Sequence, residues 1–147
     1  MEGDGPVSDD IEIIHTSEWP TEEIVELYKA GGWWKDSYDP SRVQPLLKGS
    51  AVFIIIYHKV EKRAVGMGRL VSDGVSDGYI QDLVVLPHLR GRGIGRMMVR
   101  ELVRSARELG LVWIGLISEE GKNGFYERLG FKTFSGTPMI YDPDGEV

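Results

Sequence analysis

The residues best suited to chemistry in this 147-residue chain lie in one run, LVVLPHLRGRGIGRMMVRELV, from Leu83 to Val103. An apolar stretch breaks at Pro87. The six residues from Arg90 to Gly95 then hold three glycines and two arginines before a helical rhythm begins. A helix N-terminus presents backbone N–H groups without intrahelical partners and carries about half a positive charge. Glycine lets the main chain approach a ligand with no Cβ in the way. Lying between a buried strand and a helix, the segment Arg90-Gly91-Arg92-Gly93-Ile94-Gly95-Arg96 is suited to cradling a pyrophosphate. Arg92 and Arg96 fall where the phosphates would lie, while Arg90 can reach a phosphate or brace the turn. Arg100, Arg104 and Arg107 recur about every fourth position, the pattern of a solvated helix face.

Two phosphate loops can be tested against this run, and both fail. The P-loop GxxxxGK[ST] needs a lysine and a hydroxyl residue after its last glycine, and neither is present. The dinucleotide fingerprint GxGxxG needs glycine at 96 or 98, where the chain has Arg96 and Met98. What remains is Arg-x-x-Gly-x-Gly, formed by Arg90, Gly93 and Gly95 and preceded by LVVLPHLR. It resembles the acetyl-CoA-binding motif of the GCN5-related N-acetyltransferase (GNAT) superfamily. FYERLGF, Phe125 to Phe131, resembles the same superfamily's C-terminal motif, and the two stand in the right order with a strand between.

The resemblance implies an acetyl-CoA-dependent N-acetyltransferase whose cofactor lies where two parallel central strands splay apart. Leu83, Val84 and Val85 would present main-chain groups to the pantetheine arm, and Gly91, Arg92, Gly93, Ile94, Gly95 and Arg96, with Arg90, would hold the pyrophosphate. An amine would attack the thioester directly, with no covalent enzyme intermediate, which suits a chain with no cysteine. A main-chain N–H at Leu83 or Val84 would supply the oxyanion donor. Tyr126 resembles the superfamily's general acid, and a phenol can protonate a thiolate in a desolvated site. For the base, the candidates are Asp82, just before the pantetheine stretch, and Glu119 and Glu120, after the second splayed strand. The superfamily's cofactor-contacting asparagine, seven residues before the tyrosine, is replaced here by Glu119. Asn123 is the nearest asparagine. A CoA-binding sensor of the same fold, without turnover, would share the loop but not the need for Tyr126.

The acceptor is expected beside the first two helices, at GGWWKDSYDP. Trp33, Trp34 and Tyr38, with Asp36 and Asp39, suit a cationic amine, small molecule or peptide, through ring faces and carboxylates. Against this stands the alternative that either tryptophan simply packs on the sheet. The GTPMIYD segment, with Met139 and Tyr141, would form the opposite wall.

The elements that must position these residues read as β-α-α-β-β-β-α-β-α-β-β, an α/β fold with a mixed sheet and helices on both sides. Ile11–His15 is a short strand, and SEWPTEEIVELYKAGG is a helix begun near Pro20 and stopped by Gly31 and Gly32. DPSRVQPLLKGS is a second helix with a bend expected at Pro45. AVFIIIYHKVEKRAVGMGRLVSDG is a hairpin meeting at KVEKR. A strand from Tyr79 to Leu86 follows, its end buried on both faces. Ile94, Met98, Leu102, Ala106 and Leu109 then mark a helix ending at Gly110. LVWIGLI is a parallel strand, GKNGFYERLGF a short helix, and FKTF with TPMIY a terminal hairpin.

Length suits one domain, 11–141, flanked by flexible segments 1–10 and 142–147. With 23 acidic against 17 basic residues, nucleic acid is not expected as a partner. His15, His58 and His88 show no ligand-like spacing, so no metal is expected. The acidic first ten residues lack a signal peptide's features, and no apolar run reaches membrane-spanning length. Together with the missing cysteines this points to the cytoplasm, without a membrane partner. The resemblance allows a homodimer.

Overall fold

The computed structural model describes residues 8–147, so most of the expected flexible segment 1–10 lies outside the described residues. Two compact units are distinguished, one running to Leu116 and the other Ile117–Val147.

The first unit is built on a five-stranded sheet in the order β1-β2-β3-β4-β5. β1 (Ile11–His15), β2 (Val52–His58), β3 (Arg63–Ser72) and β4 (Asp77–Val85) are successively antiparallel, and β5 (Trp113–Gly115) runs parallel to β4. β2 carries Phe53, Ile54, Ile55 and Ile56 in consecutive buried positions, as a strand covered on both faces must. Helices α1 (Thr21–Ala30) and α3 (Ile94–Glu108) both pack on β3 and β4. They take opposite faces. A Cβ on Gly68 would meet Leu102 of α3, whereas the next residue, Arg69, bonds Asp82, which bonds Tyr28 of α1. Successive strand residues point to opposite sides of a sheet.

α3 buries Ile94, Met98, Val99, Leu102 and Ala106. Leu109, expected on that stripe, is instead 45% exposed. The helix has already ended there. Gly110, at φ 84, closes a Schellman turn in which the N–H of Leu111 reaches the Ala106 carbonyl and that of Gly110 reaches Arg107. Leu111, not Leu109, is tucked inside.

α2 (Val43–Gly49) follows a 3-10 turn at Pro40–Arg42, and the bend expected at Pro45 is absent. Pro45 stands in the helix's first turn, where its missing N–H would have had no intrahelical partner. In the second unit only α4 (Asn123–Glu127) is regular. The expected hairpin of FKTF and TPMIY is not formed: among the described residues, 132–141 hold no strand. Both runs are short, Gly136 and Pro138 interrupt them, and Phe134, Met139, Ile140 and Tyr141 are exposed, so neither gains a buried face. Among the described residues no helix is long and apolar enough to cross a membrane.

Gly68 is one of the sheet positions with no room for a side chain. A Cβ there would lie 2.7 Å from Leu83 Cδ2 and 3.1 Å from Leu102 Cδ1. Gly68→Ala is expected to cost about 1–3 kcal/mol, the usual penalty for overpacking, read as a lowered urea midpoint at unchanged slope. A midpoint equal to the parent's would mean that Leu83 is not wedged there.

Candidate active site

The glycine loop joins β4 to α3 within the first unit. Gly91 and Gly93 both have positive φ, 78° and 83°, a conformation that costs other residues roughly 1–2 kcal/mol. Gly93 is the N-cap of α3 and adopts the left-handed form, with no side-chain cap on the helix. The turn therefore leads straight into the positive end of a 15-residue helix. Arg92 is exposed and Arg96 half-buried.

Arg90 takes the bracing role. Its Nε donates to the Val85 carbonyl (3.0 Å) and its Nη2 to the Ala30 carbonyl at the end of α1 (3.3 Å), while its own N–H reaches Pro87 (3.3 Å). Of the two roles expected for Arg90, these contacts are those of the brace, and they tie the loop to both β4 and α1. Further along the helix, Arg104 pairs with Glu101 (2.6 Å) and Glu108 (2.5 Å) on an exposed face. Arg100 and Arg107 are exposed as well.

Beside the loop, β4 parts from β5. Their last parallel pair is Tyr79 with Gly115, yet β4 continues to Val85. Among the described residues, the remainder of β4 thus has no strand partner on that side. β4 is also irregular against β3, since Met67 faces Val84 but Arg69 faces Gln81. That pairing sets one extra residue into β4 at Asp82–Leu83, a β-bulge. Asp82 carries it at φ 58, where non-glycine residues seldom sit. Leu83 is half-buried, and Val84 and Val85 are buried.

The Asp82 carboxylate is held from two sides. Arg69 Nε donates to Oδ2 at 2.6 Å, and the Tyr28 hydroxyl donates to the same oxygen at 2.8 Å. Arg69 also donates to Ser50 Oγ and Gln81 Oε1. Tyr28 is buried, and burial first, then the Asp82 charge and the hydrogen bond to it, push its phenol well above its ordinary pKa. It therefore remains a proton donor.

Trp33 is fixed by the end of α1. Gly32 (φ 78) closes a Schellman turn, with the N–H of Trp33 on the Tyr28 carbonyl and that of Gly32 on Lys29. The accompanying apolar contact is Trp33 on Tyr28, ring centroids 6.2 Å apart. So Trp33 packs. Trp34 and Tyr38 form a separate edge-to-face pair at 5.6 Å, with Tyr38 46% exposed. Asp39 is occupied locally, its carboxylate accepting the Ser41 N–H, which holds it below the usual carboxylate range. Asp36 is exposed.

A glycine turn at a helix N-terminus, next to a strand that outruns its parallel neighbour, is the arrangement expected from the sequence. The family model described as the acetyltransferase (GNAT) family matches residues 9–131. The chain belongs to the GNAT family of acetyltransferases.

Its likeness extends to individual proteins. It is 30% identical over 138 residues to an uncharacterised N-acetyltransferase, ycf52, of Porphyra purpurea, covering 92% of this chain and 74% of the relative. It is 39% identical over 69 residues to a chloroplastic serotonin N-acetyltransferase 2 of Oryza sativa subsp. japonica, covering 47% of this chain and 34% of that one. The chain spans 47% to 66% of the length of three further curated relatives. Among solved structures, the GNAT family protein SP0256 of Streptococcus pneumoniae TIGR4 superposes with a TM-score of 0.75 at 32% identity, covering 91% of this chain and 98% of that one. Family and fold make this GNAT chain an N-acetyltransferase.

Acetyl-CoA is the acyl donor of the GNAT family, and the loop fits its diphosphate. Positive φ at Gly91 and Gly93, the positive end of α3, and the guanidinium groups of Arg92 and Arg96 are the kind of donor set such an anion requires.

In the second unit, FYERLGF forms α4 and its closing turn. Gly130 (φ 97) makes another Schellman turn, with the N–H of Phe131 on the Tyr126 carbonyl. That turn sets the Phe131 ring 6.0 Å from Tyr126, and Phe125 lies 5.0 Å from it on another side. Tyr126 is half-buried, and burial first, then the Glu119 charge, raises its pKa. Glu119 is exposed and pairs with Lys122 at 3.4 Å. Glu120 and Asn123 are exposed, Asn123 opening α4.

Sequence reasoning missed Tyr28 and Arg69. Arg69 had left a signal, being a lone charge within the apolar strand AVGMGRLV, where burial demands a partner. Tyr28 had none, since its position on α1 reads as one more core residue.

Proposed function

We propose that the protein transfers the acetyl group of acetyl-CoA directly to the primary amine of a cationic small molecule or peptide. The parting of β4 from β5 beside the glycine loop carries this reading. Bound there, acetyl-CoA supplies an acyl carbonyl already activated as a thioester. The amides of Gly91 to Arg96, with the Arg92 and Arg96 side chains, hold its diphosphate. Arg90 keeps the loop in shape through Val85 and Ala30. Main-chain groups of Leu83, Val84 and Val85 align the pantetheine arm, and an N–H at Leu83 or Val84 stabilises oxyanion charge. Asp82 is the carboxylate for the incoming amine, and Tyr126 is the proton donor to the leaving thiolate. The Trp34–Tyr38 pair, half-buried at Trp34 and exposed at Tyr38, with Asp36 favours a cationic acceptor.

The test is release of free CoA thiol from acetyl-CoA in the presence of tryptamine, spermidine and a lysine-containing peptide, each at millimolar concentration. Amine-dependent release is expected with at least one. Stabilisation by acetyl-CoA without release would instead mark a CoA-binding module lacking turnover.

A further inference from the structure

Resting on that reading, we propose that Tyr28 and Arg69 are positioning residues for the acceptor: they clamp the Asp82 carboxylate through Oδ2 and so aim Oδ1 at the acceptor's ammonium. Two independent features point this way. First, Arg69 at 2.6 Å and Tyr28 at 2.8 Å both take Oδ2, and among the described residues no side chain bonds Oδ1. Two bonds on one oxygen fix the carboxylate's orientation and leave Oδ1 to accept from a ligand. Second, Asp82 sits at φ 58 on the bulge, within the stretch of β4 that runs past β5. Such a backbone persists only where its surroundings over-determine it, and the two bonds to the side chain do so.

The clamp comes from three elements. Tyr28 belongs to α1, Arg69 to β3, and Ser50, on Arg69 Nη1, follows α2. Trp33, held on Tyr28 by the turn that ends α1, connects the clamp to the aromatic segment. An ammonium binds a fixed carboxylate oxygen through a charge-assisted hydrogen bond, and an adjacent ring edge narrows the approach. The acceptor class this selects is a protonated primary amine rather than a neutral or acidic nucleophile.

The experiment is steady-state kinetics of thiol release at saturating acetyl-CoA, with whichever of tryptamine, spermidine or the lysine peptide the wild type turns over. Tyr28→Phe is expected to raise KM for the amine about tenfold, and Asp82→Asn about 10- to 100-fold, the range for losing a hydrogen bond to a charge. In Tyr28→Phe kcat stays within a fewfold, and in both variants so does the stabilisation given by acetyl-CoA. Arg69→Lys, which keeps the charge, recovers part of what Arg69→Met loses. The double variant Tyr28→Phe/Asp82→Asn is expected to be no worse than Asp82→Asn alone, because Tyr28 acts only through that carboxylate. Multiplying losses would overturn the clamp, as would an unchanged amine KM in Tyr28→Phe. If the wild type releases no thiol with any of the three amines, the transferase reading fails, and the inference with it.

Discussion

Gly93→Val abolishes the stabilisation that acetyl-CoA gives the wild-type protein. A ligand at about a hundred times its dissociation constant contributes roughly 2.7 kcal/mol to the native state, which raises the melting point of a domain this size by several degrees. Gly93 is the left-handed N-cap of α3, at φ 83. Valine resists that conformation, so the turn must open or the first turn of the helix must unwind. Either response moves the amides of Ile94, Gly95 and Arg96 away from a common focus. The unliganded variant is expected to melt only a few degrees lower, since left-handed strain costs about 1–2 kcal/mol. Its shift with millimolar acetyl-CoA should fall to within error of zero. Arg107→Gln, on the exposed face of the same helix, should keep the full shift. A normal shift in a folded Gly93→Val protein would place the cofactor elsewhere.

Tyr126→Phe lowers kcat by about 100-fold or more, within the usual contribution of a positioned general acid. Stabilisation by acetyl-CoA should be unchanged. The phenylalanine ring keeps the contacts with Phe125 and Phe131, so the variant removes one hydroxyl and little packing. The pH dependence follows from the sign of the shift. Burial, followed by the Glu119 charge, raises the pKa of Tyr126 above its ordinary value near 10. A raised pKa leaves the phenol protonated at every pH below that value, so loss of the acid form gives the wild-type kcat no descending limb between pH 7 and 10. A wild-type limb within that window that Tyr126→Phe removes would contradict the assignment. Retention of kcat in the variant would assign proton donation to another group.

The cofactor side of this protein was largely legible in its sequence. A site made of main-chain amides is written by the residues that permit the backbone path. Gly91 and Gly93 had to be glycine, Pro87 had to end the strand, and the stripe from Ile94 to Ala106 had to be helical. The turns that close α1, α3 and α4 were equally local, each marked by a glycine followed by an apolar residue: Gly32 with Trp33, Gly110 with Leu111, Gly130 with Phe131. What was misjudged depended on partners. Leu109 fits the apolar spacing of α3, yet the helix ends before it and Leu111 takes the buried place. The runs 131–134 and 137–141 have strand-like composition, but a strand exists only where another strand accepts its hydrogen bonds.

By itself, then, the sequence determined the fold class, the glycine turn at the head of α3, the family and the absence of cysteine chemistry. Each of these follows from local backbone preference and apolar periodicity, which neighbouring residues settle among themselves. Only the tertiary structure decided where the charged side chains go. It set Arg90 against the Val85 and Ala30 carbonyls, folded Trp33 onto Tyr28, and brought Tyr28 of α1 to Arg69 and Asp82 on β3 and β4. The physical reason is that a buried or half-buried charge must find its partner in space. No rule of spacing along the chain says which helix will lie across which strand.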